Sequence, residues 1–231
     1  MTAPLLSVVD LTVARAAGPL LEGLNINLTA GEVTALIGVN GVGKTSLLET
    51  ISGIIPAGAG TITLGQTNLT RLSRAKRAHA GLTLVEQGRA VFPSLTVREN
   101  ILLTARTQSV LDEALALFPE LKKRLHSPAN LLSGGEQQMV TLARAIASRS
   151  KVLMIDEMSL GLAPVVFQRL LPVVAQIAAS GVAVLLVEQF VHHALAVSQQ
   201  AIVIAGGRVA YQGPSQELRD QPERLTGLYL G

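Results

Sequence analysis

The stretch GVNGVGKT, residues 38–45, follows the apolar run VTALI at 33–37 and decides how the chain is read. It matches G-x-x-x-x-G-K-[ST] with a strand before it and a helix after it, the context the pattern needs. The helix is expected to begin near Gly43 and to carry Leu47, Leu48 and Ile51 on one face. Gly38, Gly41 and Gly43 let the backbone take positive φ and approach a ligand closely. Successive N–H groups then converge on one concavity, and the helix N-terminus adds partial positive charge. Lys44 supplies a point charge for β- and γ-phosphates, and the Thr45 hydroxyl can ligate Mg²⁺. A plain glycine-rich turn would satisfy the four fixed positions by chance in on the order of 1% of chains this long. The flanking strand and helix lower that figure further, so the stretch points to a nucleotide site.

A chain of 231 residues can bury a substantial core. Apolar residues make up 48%, and the mean hydropathy is +0.43. The apolar run at 182–187 is far short of the ~20 residues a bilayer span needs. The N-terminus, MTAPLLSVVDLTV, shows no basic region followed by an apolar core, so no signal peptide is expected. Without cysteine, disulfides and thiolate zinc sites are excluded. Formal charge is +3, with basic clusters at Arg71, Arg74, Lys76 and Arg77 and at Lys122, Lys123 and Arg124. Both are read as solvated helix faces. Aromatic residues are 3% of the chain, too few for base-stacking platforms, and no nucleic-acid partner is expected.

Outward from the loop, residues 5–13, 24–28 and 61–64 read as strands of an antiparallel sheet. Residues 82–85, 151–155 and 182–187 are short, wholly apolar or nearly so, and end in Glu86-Gln87, Asp156-Glu157 and Glu188-Gln189. They read as buried parallel strands, and residues 201–205 and 208–212 read as a hairpin. Between about 88 and 150 the character turns helical. Thr96 caps TVRENILL with Glu99 in a capping box, 110–125 has helical spacing broken at Pro119, and a helix runs from 137 to 147. The expectation is a single α/β domain over 5–231. It has a P-loop NTPase core with a parallel sheet, an antiparallel β part and an inserted helical subdomain at about 88–150. Ligands on such sheets sit beyond the carboxyl ends of the strands, so the loop, Gln87, Asp156, Glu157 and Gln189 should converge.

Asp156 can hold Mg²⁺ opposite Thr45, and Glu157 can reach the water that attacks the γ-phosphate. Alone, such a pair also merely caps a strand. In LSGGEQQ, residues 132–138, a serine and two glycines at a helix start form a second anion nest. A chain with one phosphate loop has little use for another on the same ATP. Two readings stand: a helix cap made by Ser133, or a contact from Ser133, Gly134 and Gly135 to the γ-phosphate of another subunit in a head-to-tail dimer.

GVNGVGKT, Gln87, LSGGEQQ and VLMIDE, in that order and spacing, resemble the ATP-binding subunit of ABC transporters over essentially the whole chain. More narrowly, QGRAVFPSLTVREN, DEMSLGLAP and LLVEQ resemble the ATPases of branched-chain amino acid importers. GVGKT together with QGR is similar to relatives serving urea and short amides. The resemblance implies the ABC ATPase fold and a dimer, of identical or paralogous ATPase subunits, sandwiching two ATP molecules. It also implies permease subunits, an extracytoplasmic solute-binding protein, and a peripheral place on the cytoplasmic face of the membrane.

Residue by residue it implies phosphate contacts from Gly38, Val39, Asn40, Gly41, Val42, Gly43, Lys44, Thr45 and Ser46. Thr45, Gln87 and Asp156 would serve Mg²⁺, Glu157 would be the catalytic carboxylate, and Ser133, Gly134 and Gly135 would complete the opposite site. Three positions depart from the family pattern. Arg15 stands where an aromatic residue is expected to stack on adenine, and a guanidinium can stack on a base. Gln189 replaces the switch histidine, and Met158 replaces a usual proline. An ABC-type ATPase of DNA repair or translation would usually carry coiled-coil inserts or a second fused ATPase, and this chain has neither. A metabolic P-loop kinase would leave LSGGEQQ unexplained.

Overall fold

Consecutive apolar strands dictate a sheet covered on both faces, and that sheet carries the site. The computed structural model describes residues 3–88 and 90–230. Met1, Thr2, Gly231 and Arg89 of the QGR motif lie outside the described residues, as do the side chains of Tyr229 and Leu230. The first part of the chain forms β1 (Leu6–Arg15), β2 (Gly18–Leu28), β3 (Val33–Gly38), α1 (Lys44–Ser52), β4 (Ala59–Leu64) and β5 (Thr67–Asn68). Next come α2 (Arg74–Ala80), β6 (Leu82–Val85), α3 (Val97–Leu102), α4 (Gln108–Ala116), α5 (Pro119–Lys122) and α6 (Gly134–Ala147). The chain continues with β7 (Val152–Asp156), α7 (Pro164–Ala179), β8 (Ala183–Val187) and α8 (Val191–Val197). It closes with β9 (Gln200–Ala205), β10 (Arg208–Pro214), α9 (Ser215–Asp220) and α10 (Pro222–Leu230).

The six-stranded sheet runs β10-β9-β3-β8-β7-β6, with every pair parallel except the β9–β10 hairpin. A four-stranded antiparallel sheet runs β2-β1-β4-β5. Side chains of the central strands alternate between two cores. Val33, Ala35, Ile37, Leu153, Ile155, Val184 and Leu186 face one core, with α3 to α7. Leu36, Met154, Leu185 and Val187 face the other, with Leu47, Leu48 and Ile51 of α1 and the inner face of the antiparallel sheet. Helix α1 is thus packed between the two sheets. Each fully buried Leu or Ile contributes roughly 1.5–3 kcal/mol, and truncating one to Ala costs about 2–5 kcal/mol.

Several expectations need correcting. Helix α6 starts at Gly134, not Gln137, because the Ser133 hydroxyl accepts the Glu136 amide while Glu136 returns to the Ser133 amide. That reciprocal box draws both glycines into the first turn. The break expected at Pro119, by contrast, is present: the 110–125 segment divides into α4 and α5, with Pro119 as the first residue of α5. Arg77 is not solvated: it is buried, donating to the carbonyls of Thr50, Ile51, Thr70 and Leu72 at 2.7–3.0 Å. It satisfies the orphan carbonyls at the end of α1, so a fixed charge serves as a helix cap. Arg71, Arg74, Lys76 and the Lys122–Arg124 cluster are exposed as expected.

Candidate functional site

Strand β3 delivers the chain into a loop where Gly41 and Gly43 take positive φ, at 81° and 106°, whereas Gly38, expected to do the same, does not and is required by space instead. A Cβ on Gly38 would stand 2.9 Å from both the Ile204 carbonyl oxygen and Val42 Cγ1. Gly43 sits at φ 106° with Leu21 of β2 packed 3.1 Å from where its Cβ would be. Lys44, the first residue of α1, is buried, and its Nζ donates to the carbonyls of Gly38 at 2.7 Å and Val39 at 3.1 Å. Burial lowers its pKa, opposed by the nearby Glu157 and Asp156 carboxylates.

The concavity above this loop holds about 360 Å³ and is lined by Leu20, Asn40, Gly41, Gly43, Lys44, Thr45, Ser46, Gln87, Glu157 and Gln189. The expected convergence of strand ends is therefore present. Glu157 is a non-glycine residue at φ 46°, a conformation that costs on the order of 1–3 kcal/mol. Its amide donates to the Val187 carbonyl at 3.0 Å. Its Oε2 accepts from Gln87 Nε2 at 2.8 Å and from Gln189 Nε2 at 3.0 Å. One carboxylate oxygen is thus fixed by two amides carried on different strand ends.

Asp156, the last residue of β7, is buried, and the Thr45 hydroxyl donates to it. Burial raises its pKa; the Thr45 bond and Lys44 oppose the rise, and Glu157 adds to it. Its Oδ1 is buried with no hydrogen-bond partner among the described residues. An orphaned carboxylate oxygen beside a threonine hydroxyl suits a hard divalent cation such as Mg²⁺, which keeps most of its water and takes few protein ligands.

Arg15 does not line the concavity. Its Nε donates to Ser46 Oγ at 3.1 Å and its guanidinium pairs with Glu49, which holds it against α1. Ser133, Gly134 and Gly135 are also absent from the lining and sit at the N-terminus of α6. A Cβ on Gly135 would lie 2.6 Å from Val166 Cγ1, so that glycine is needed for packing whatever it binds. Met158 is buried apolar core.

Sequence reasoning missed Glu188, taken only as a strand end. It is 2% exposed, and it accepts from the Ser159 hydroxyl at 2.6 Å and the Ser159 amide at 3.2 Å. Burial pushes its carboxyl up to about 7 against those donors and the Gln189 amide, with Glu157 adding to the rise. A carboxyl raised on folding contributes stability at low pH that is lost as the pH climbs from 4.5 through about 7. In paired thermal-unfolding series, the wild-type Tm should fall relative to Glu188→Gln between pH 5 and 8, by the equivalent of up to about 3 kcal/mol. A constant difference across that window would count against a raised carboxyl.

The family described as ABC transporter matches residues 21–159. The high-affinity branched-chain amino acid transport ATP-binding protein BraG of Pseudomonas aeruginosa is 36% identical, over 91% of this chain and 93% of that protein. The lipopolysaccharide export system ATP-binding protein LptB of Escherichia coli K12 is 29% identical, over 91% of this chain and 90% of that protein. A nucleotide-free ATP-binding cassette of an ABC transporter superposes with a TM-score of 0.86 at 22% identity, over 99% of both chains. With a phosphate loop, a carboxylate at its rim and a matching family over most of its length, this chain belongs to the ABC transporter ATP-binding proteins and is an ATPase.

Proposed function

We propose that this chain is the motor subunit of an importer for branched-chain amino acids. The observation that carries the motor reading is the Glu157 carboxylate, held by Gln87 and Gln189 above the Lys44 nest. In ATP hydrolysis Lys44 neutralises charge on the β- and γ-phosphates, and Glu157 orients the attacking water and receives its proton. Loop amides from Gly38 to Ser46 cradle the phosphates; Arg15 would reach adenine only on leaving Ser46 and Glu49, which hold it against α1. Thr45, Asp156 and Gln87 would hold Mg²⁺, which when bound neutralises phosphate charge.

Exposed apolar side chains support a dimer closed over two ATP molecules, with an identical or a paralogous subunit. Val39 lies in the phosphate loop, Phe190 follows Gln189, and Leu131 stands two residues before Ser133. In that dimer Ser133, Gly134 and Gly135 meet the γ-phosphate held by the other subunit. Among the described residues no helix is long and apolar enough to cross a membrane. Association with the cytoplasmic face then depends on permease subunits, with an extracytoplasmic solute-binding protein on the far side. Residues 88–150 are proposed as a subdomain of the single domain at 5–231.

The similarity to BraG supports the choice of solute, and LptB supports a second reading, export of a lipid. Vesicles holding this chain with its permease subunits and solute-binding protein test both. ATP-dependent leucine uptake is the expected result. Uptake of urea or short amides without leucine would move the assignment to that importer class, and outward lipid movement would favour export.

Gln189→Ala removes one of the two amides on Glu157. Its loss should cost roughly 0.5–3 kcal/mol, or about a 10-fold drop in turnover, with Gln189→His retaining activity. Unchanged turnover in Gln189→Ala would leave it a strand terminus only.

Phe92 is half exposed, with the Arg144 guanidinium over its ring at 5.4 Å, so it is not core. Asn100 holds its backbone at 2.8 Å and 3.1 Å. It is a candidate permease contact coupled to the site through Gln87. Phe92→Glu should lower permease-stimulated hydrolysis several-fold while the isolated chain keeps its own rate; equal stimulation would remove the coupling role.

A further inference from the structure

Glu188 is a buried carboxylate that the proposed chemistry leaves unused. It stands directly after β8 and next to Gln189, while Ser159 follows Glu157 by two positions on the segment leaving β7. The two strands are adjacent and in register, Asp156 opposite Val187. Beyond that register the two segments are tied at three levels. The Glu157 amide bonds Val187, both Ser159 donors bond Glu188, and the Gln189 amide group bonds Glu157 Oε2. Covalent chain and hydrogen bonds therefore close a ring: Glu157, Met158, Ser159, Glu188, Gln189 and back to Glu157.

The Glu157 turn is strained, at φ 46°, and is further tied by the Leu160 amide on the Glu157 carbonyl at 3.2 Å. Burying a carboxylate is expensive, and filling this space would need only an amide or an apolar group. What the carboxylate adds is two acceptors that take both donors of Ser159 at once. We propose that Glu188 is a positioning residue, latching Ser159 so that Glu157 and Gln189 meet at hydrogen-bond distance over the phosphate loop. The inference rests on the reading of Glu157 as the catalytic carboxylate.

The test measures kcat, KM for ATP and Tm of the purified full chain for Ser159→Ala, Glu188→Gln, their double variant and Glu157→Gln. Ser159→Ala removes one donor. Glu188→Gln keeps the shape but turns an –NH₂ toward one of the Ser159 donors. Each should lower kcat about 10-fold with KM within about twofold, and the double variant should be no slower than the worse single one. Glu188→Gln should do so without a lower Tm near pH 8, which separates positioning from support of the fold. Wild-type kcat in both single variants overturns the latch. So does a kcat loss that recovers on cooling together with the folded fraction, or an effect confined to KM. Should Glu157→Gln itself turn over normally, the reading of Glu157 fails instead.

Discussion

Glu157→Gln is expected to bind ATP as the wild type does and to hydrolyse it about 100- to 1000-fold more slowly, within the range for loss of a positioned base. The amide keeps the shape but loses the charge that orients water. It also places an –NH₂ or a weaker acceptor where Gln87 and Gln189 now converge on one oxygen. With hydrolysis stalled, the ATP-bound dimer should accumulate, so size exclusion with ATP should show a species of twice the mass. Rapid turnover would remove Glu157 from the chemistry. A strict monomer at high protein and ATP concentration would argue against the two-ATP sandwich.

Lys44→Ala is expected to abolish measurable hydrolysis and to weaken ATP binding about 10- to 100-fold, the scale of losing a charge-assisted bond. Lys44 is the cation that lines the concavity, and its Nζ also ties the Gly38 and Val39 carbonyls. The variant therefore loses both phosphate charge compensation and a brace of the loop. Nucleotide titration and steady-state hydrolysis check the two effects, and thermal unfolding shows that α1 remains packed. Wild-type turnover would sink the nucleotide reading of the loop.

The parts of the fold that were legible in the sequence carry their reasons locally. VTALI before the loop, VLMID and VLLV are apolar without alternation, which a strand tolerates only when both faces are covered, and all three occupy the sheet centre. The Thr96 capping box needs only a Thr and a Glu three positions on. What escaped depends on distant partners. Arg77 is indistinguishable from its solvated neighbours until the end of α1, 26 and 27 residues earlier, presents its open carbonyls. Glu188 looks like any polar strand end until Ser159 folds against it from the next strand. Helices α2, α8 and α9 have seven, seven and six residues, too few turns for an apolar period to stand out, and their packing decides them. Asp156 and Glu157 were legible as a pair, but the φ of 46° that sets them in different directions was not.

The alternation of β3, β7 and β8 between two cores has a consequence for local opening. Exposing any amide of these strands requires releasing side chains from both cores at once, so their hydrogen exchange should track global unfolding. Gly38, Asp156 and the Val187 carbonyl that bonds Glu157 stand at the carboxyl ends of those same strands. The phosphate loop and the Glu157 turn are therefore mounted on strands expected to be among the slowest to exchange. Gln87 instead follows β6, one of the two edge strands of the sheet, so one of the two amides holding Glu157 is carried by a strand paired on one side only.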